Sequence, residues 1–186
     1  KSMMLCDAKW LSGALSEFSN DDISPVLNIG SSTKRFREVE QPHIYRDVFK
    51  PLEDRGIKII HTDLKEAEGV DVAANIFDEK ALHKLLEYKP KSIICTHMFE
   101  HIKDRELLAT RLMSLLPDGG VFFVTVPYSY HYHADPIDTM YRPSPDELSE
   151  LFSGQQILKK EVLLGKNYWE KIRQRPITLF CRHFFK

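Results

Sequence analysis

Through residue 126 the chain alternates short apolar, strand-like runs with segments of helical periodicity. That order leaves few folds open. A strand, a helix and a further strand close as a right-handed parallel crossover, and repetition of the unit puts helices on both faces of one sheet. The strand-like runs are residues 25–29, 57–62, 71–75, 92–96 and 121–126, and the last is the continuous apolar stretch Val121 to Val126 expected of a central strand covered on both faces.

The segments between these runs carry their own start and stop signals. Leu5, Ala8, Leu11, Leu15 and Phe18 recur at helical intervals and predict an amphipathic helix over residues 3–19. Residues 34–43 read as charged and irregular, and residues 45–53 as helical, with a kink or restart at Pro51 and a stop at Gly56. Asp78 caps a helix expected to bury Leu82, Leu85 and Leu86 before Pro90 ends it. Residues 104–116 place Leu107, Leu108, Leu112, Leu115 and Leu116 in one stripe, closed by Pro117 and Gly119-Gly120. Ser144-Pro145-Asp146-Glu147 combines a serine cap, proline at the first helical position and a capping-box glutamate, opening a helix that reaches Phe152. Residues 156–164 and 177–185 read as a closing antiparallel pair. The expected fold is an α/β, Rossmann-like three-layer sandwich whose mostly parallel sheet has about seven strands. It forms a single domain over residues 1–186: an N-terminal helix in 1–22, a ligand-binding core in 23–126, and a polar loop with closing strands in 127–186.

Composition narrows the function classes. With 26 basic against 27 acidic residues and a formal net charge of -1, no global field draws the chain to nucleic acid or anionic membrane. No apolar run approaches the roughly 20 residues of a membrane span, and the opening residues are too short and quickly charged for a signal peptide. A cytoplasmic protein is expected. Cys6, Cys95 and Cys181 are odd in number and widely spaced, which predicts free thiols rather than disulfides or a zinc site. The chain opens at Lys1 rather than methionine, so a flanking domain, like a homodimer partner, is left open.

Three stretches carry a family resemblance. Val26-Leu27-Asn28-Ile29-Gly30-Ser31-Ser32 resembles the first-strand loop of class I S-adenosylmethionine-dependent methyltransferases of the type 11 kind, and Ile59-Ile60-His61-Thr62-Asp63 resembles their acid-ended second strand. His97-Met98-Phe99-Glu100-His101, with Leu115-Leu116-Pro117-Asp118-Gly119-Gly120, looks like the turn and closure after their fourth strand. The likeness spans residues 23–152. It implies S-adenosylmethionine as cofactor, with Asn28, Gly30, Ser31 and Ser32 at its loop, Asp63 on the ribose diol, Asn75 and Ile76 at adenine, and His97 and Met98 lining the site. The family's acidic residue and later glycines are replaced here by Asn28, Ser32 and Lys34. A nicotinamide dinucleotide fits less well, because no G-x-G-x-x-G is present.

The run from Pro127 to Pro143 leaves the carboxyl end of the last parallel strand and is rich in groups that align or deprotonate an acceptor. Transfer to a weakly acidic hydroxyl calls for a base near neutral pH, and histidine is the suitable type. His133 is the leading base, Asp135 or Asp138 the carboxylate that orients it, and His101 on the preceding turn a further catalytic candidate. Tyr128, His131, Asp138, Tyr141 and Arg142 are the candidate acceptor contacts, through stacking or charge. The same groups can instead tie the loop down, and no metal is expected. The run resembles an H-x-x-P-x-D-x-x-R loop of methyltransferases associated with surface-polysaccharide and sugar modification, which implies a sugar, glycan or other small-molecule hydroxyl as acceptor. A competing reading, favoured by the altered loop, is a non-catalytic Rossmann-like binding or scaffolding domain of a larger polysaccharide-assembly protein. His43 and His61 read as surface or supporting groups, Lys34-Arg35-Phe36-Arg37 as a solvated basic cluster, and residues 166–175 as a basic run with interleaved aromatics. Nucleic acid is not the expected partner.

Overall fold

The computed structural model describes residues 3–132, 134 and 137–165. Five parallel strands, β1 (Val26–Ile29), β2 (Ile59–Asp63), β3 (Val72–Ala73), β4 (Ser92–Thr96) and β5 (Val121–Thr125), form one open sheet in the order β3-β2-β1-β4-β5. Helices flank it: α1 (Leu5–Ser16), α2 (Asn20–Ile23), α3 (Pro42–Ile44), α4 (Lys50–Asp54), α5 (Glu79–Leu86), α6 (Arg105–Met113) and α7 (Pro145–Glu150). The architecture is the expected Rossmann-like α/β fold.

Two apolar cores follow from strand alternation. Leu27, Ile29, Ile93 and Cys95 face a core closed by Leu82 and Leu85 of α5 and Leu108 and Leu112 of α6. Val26 and Ile94 point the other way, onto Leu11 and Leu15 of α1 and onto Val48, Phe49 and Leu52. Each such fully buried side chain contributes about 1.5–3 kcal/mol. Two helix starts match their sequence signals, with the Asp78 carboxylate accepting from the Ala81 amide and Ser144 forming its capping box with Glu147; Asp104 likewise caps α6, accepting from the Leu107 amide.

Several local expectations change. Residues 34–43 are helical rather than irregular, with one π-helical turn at Phe36–Glu40 before α3 and a second at Tyr45–Phe49 before α4. Pro51 is the second residue of α4, which continues directly from the π-helical turn at Tyr45–Phe49. Leu86 and Leu107 are exposed, because they fall on the solvent sides of α5 and α6. β5 is the last strand of the described sheet and not a central one; its apolar run is covered instead by Phe18 on one face and Phe152 on the other. Of the expected closing pair, residues 156–164 pair with no described strand, and 177–185 lie outside the described residues, as do Cys181 and the 166–175 run. No disulfide joins Cys6 to Cys95, and Cys95 is buried.

Candidate functional site

Strand order reverses around β1: β2 and β3 lie to one side, β4 and β5 to the other. The crevice beyond the carboxyl ends of β1 and β4 is therefore the switch point at which open α/β sheets bind ligands. Register decides what lines it. Ile29 lies opposite both Thr62 and Cys95, so Gly30, Asp63 and Thr96-His97 emerge side by side. Asp63 pairs with Ala73, which puts Asn75 and Ile76 just beyond β3.

The loop after β1 is held in a turned conformation that its residues specify only in part. Gly30 has φ 71° and Ser32 φ 57°, and the second is a left-handed serine, held there by its surroundings. The Ser31 amide donates to the Thr62 carbonyl at 2.8 Å, and the Ser32 amide to Asp63 Oδ2 at 2.8 Å. Asp63 Oδ1 accepts from the Leu64 amide, which leaves part of the carboxylate's capacity of about four acceptor sites for a ligand. Beneath the loop lies Arg37, buried although it belongs to the cluster expected to be solvated. Its guanidinium donates to the carbonyls of Ser31 (3.1 Å), Ser32 (2.7 Å) and Gly69 (2.7 Å). Gly69, at φ 78°, makes room for this fork: a Cβ there would stand 3.0 Å from Arg37 Nη2 and 2.4 Å from Lys34 Cβ. Asn28, buried in β1, bonds His61 Nδ1 at 2.9 Å. Asn75 Oδ1 accepts from the Phe77 amide at 3.1 Å, and Ile76 is buried.

On the β4 side the crevice ends in a buried charge cluster. His97, left-handed at φ 51°, places Nε2 2.8 Å from Asp7 Oδ2 and Nδ1 3.5 Å from Glu100 Oε1. His101 Nε2 lies 3.6 Å from the same Glu100 oxygen, and its Nδ1 lies 3.0 Å from the Ile137 carbonyl oxygen. Burial opposes a charge on His97, but the hydrogen bonds of Asp7 and Glu100 override it and hold the imidazole up at about 9. His61 goes the other way: burial, reinforced by the Arg37 charge, pushes it down to about 3.

These opposed shifts predict a dome of stability against pH. His61 stays neutral in the fold but protonates in the unfolded chain below its ordinary 6.5, so its contribution is lost as pH falls from 6.5 toward 3. His97 is held protonated, so its contribution is present below 6.5 and lost as pH rises toward 9. Urea unfolding between pH 4 and 9 should show a maximum near neutrality; a flat alkaline limb would mean that His97 is uncharged.

A cavity of about 650 Å³ opens beside this cluster, between α1, the end of β5, α7 and residues 157–165. Asp7, His97, Glu100 and Thr125 lie on its wall, as do Tyr128 and His131 of the polar loop. Among the cofactor candidates only His97 lines it. Asp138 and Arg142 instead hold each other in a buried pair, with Arg142 Nη2 2.5 Å from Asp138 Oδ2. Tyr141 stacks under the Arg105 guanidinium, 4.1 Å from its ring centre. Both Tyr141 and Arg142 line a separate, open groove along α6 and α7. His133 and Asp135 lie outside the described residues. Among the described residues no three His, Cys, Asp or Glu side chains converge as metal ligands, and no helix is long and apolar enough to cross a membrane.

Sequence reasoning passed over Asp7, Glu100, Thr125 and Arg37 as functional residues. One signal was available: Asp7 stands four residues before Leu11 and eight before Leu15, a charge on the apolar stripe of α1.

A reversed strand order with a glycine turn and an acid at adjacent strand ends defines a nucleotide-type cofactor fold. The methyltransferase domain family matches over residues 4–160. The chain belongs to this family, whose members generally use S-adenosylmethionine, and it is of the class I S-adenosylmethionine-dependent methyltransferase type. No curated protein matches it.

Proposed function

We propose that the protein methylates a hydroxyl group of a small-molecule, sugar or glycan acceptor, using S-adenosylmethionine bound in the crevice after β1 and β2. The observation that supports this reading is the place of His97, which follows β4 beside the Gly30 turn and also lines a cavity of acceptor size. The crevice residues suit the cofactor chemically. Gly30 permits close backbone approach, Asp63 has acceptor capacity left for a ribose diol, and buried Ile76 offers an apolar surface for adenine, with Asn75 beside it. Asn28, Ser31, Ser32 and Met98 complete the proposed cofactor set.

When bound, S-adenosylmethionine supplies an electrophilic methyl group. The chain's task is to align the acceptor oxygen and receive its proton. His133, oriented by Asp135, is the proposed base, and His101 supports the turn that carries Glu100. Tyr128 and His131 contact the acceptor at the cavity mouth. Asp138, Tyr141 and Arg142 serve by shaping the loop that carries them, through the pairings described above.

Calorimetric titration with S-adenosylmethionine and S-adenosylhomocysteine tests the reading, and micromolar binding of both is expected. Asp63→Ala should weaken it by about 1–3 kcal/mol, the scale of losing hydrogen bonds to a charged group. Unchanged affinity would move the ribose away from Asp63, and no binding at millimolar ligand would favour the non-catalytic binding or scaffolding domain.

A further inference from the structure

Around His97 and along α7 the polar atoms on the cavity wall are mostly committed to the protein itself. Asp7 Oδ2 takes the Met4 amide and His97 Nε2, and the other nitrogen of His97 faces Glu100 Oε1. Ser144 and Ser149 spend their hydroxyls on α7, the first accepting from the Glu147 amide and the second donating to the Asp146 carbonyl. Two buried atoms are left over, Glu100 Oε2 and Thr125 Oγ1, which have no hydrogen-bond partner. Both belong to residues on the inner wall, where Glu100 is 2 % and Thr125 8 % exposed. Buried polar atoms are rarely left so, and two in one cavity point to a ligand that completes them. Val124, Val126, Pro127, Leu148 and Phe152 add carbon to this inner part of the wall, and the other polar side chains on it, Ser129, His131, Lys159, Lys160 and Glu161 among them, are exposed.

We infer that this cavity takes an aromatic or alicyclic alcohol, an apolar body carrying one hydroxyl, with that hydroxyl donating to Glu100 Oε2 and meeting Thr125 Oγ1. The inference rests on the methyl-transfer reading only in naming this molecule the acceptor; for such an acceptor Glu100, in place of His133, receives the hydroxyl proton. Geometry supports a donor head group: Glu100 Oε1 faces both His97 and His101, and Oε2 is the unpartnered end of the same carboxyl group. A sugar ring inserted to the same depth would bury several hydroxyls against carbon, at about 1–3 kcal/mol for each one unpaired. Any glycan part of an acceptor therefore stays at the mouth, beside exposed Tyr128 and Tyr130.

The test is calorimetry on the whole chain with 2-naphthol and with methyl α-glucopyranoside as probes, alongside S-adenosylhomocysteine. Naphthol is expected to bind at least tenfold more tightly than the glucoside. Thr125→Val and Glu100→Gln, both close to isosteric, should each weaken naphthol about tenfold, and Thr125→Val should leave S-adenosylhomocysteine affinity unchanged. Glucoside binding as tight as naphthol, or naphthol binding unchanged in both variants, overturns the assignment. Failure of S-adenosylhomocysteine to bind while naphthol still does overturns the methyl-transfer reading and supports the cavity assignment.

Discussion

His97→Leu is expected to lower the unfolding free energy by about 3–5 kcal/mol, the scale of breaking a buried ion pair by removing one partner. Asp7 and Glu100 are 5 % and 2 % exposed, and His97 is the cation between them. With leucine in its place, two carboxylates face each other in a low-dielectric pocket and one must protonate or the helix must lift. The second arm of the experiment separates charge from shape. Adding Asp7→Asn to the leucine variant removes one of the opposed charges and should recover part of the loss, whereas Asp7→Asn in the wild-type background should only destabilise. Strict additivity of the two substitutions would show that they do not interact. Because Asp7 lies on α1 and His97 follows β4, the same pair docks the N-terminal helix against the site, so amide exchange in α1 should quicken in the single leucine variant.

Arg37→Met is the second large effect. The guanidinium donates to three carbonyls, two in the loop after β1 and one at Gly69. Methionine fills much of the same volume but satisfies none of them. Hydrogen bonds to a charged group contribute about 1.5–3 kcal/mol each, and part of the loss is recovered as the loop relaxes, so a net fall of about 3 kcal/mol in urea unfolding is expected. Relaxation also releases Ser32 from its left-handed conformation and from Asp63, so S-adenosylmethionine affinity should fall about tenfold, roughly the 1.4 kcal/mol of one displaced hydrogen bond. Arg37→Lys should not rescue either property, since a point charge on a flexible stem cannot reproduce the planar fork. Retained cofactor affinity in the methionine variant would mean that the loop holds its shape without the arginine.

Much of the frame was legible along the chain. Each of the five strands falls within a residue or two of its apolar run, and the caps at Asp78 and Ser144 sit where their residue types put them. The crevice was legible too, since Gly30, Asp63 and His97 each end a strand and parallel pairing brings such ends together. The polar loop was harder to read. Asp138 and Arg142 are suited equally to an acceptor and to each other, and the fold pairs them.

Local signals, namely period, caps and turn residues, act over a few positions, and they were enough to specify the α/β class, its elements and the family likeness. Contacts between distant segments carry no such mark. Asp7 and His97 meet across 90 residues, and Arg37, in the π-helical turn at Phe36–Glu40, reaches the carbonyls of Ser31, Ser32 and Gly69. Burial and charge pairing are properties of the assembled fold: they hold His97 protonated between Asp7 and Glu100, and leave Glu100 Oε2 and Thr125 Oγ1 without a hydrogen-bond partner.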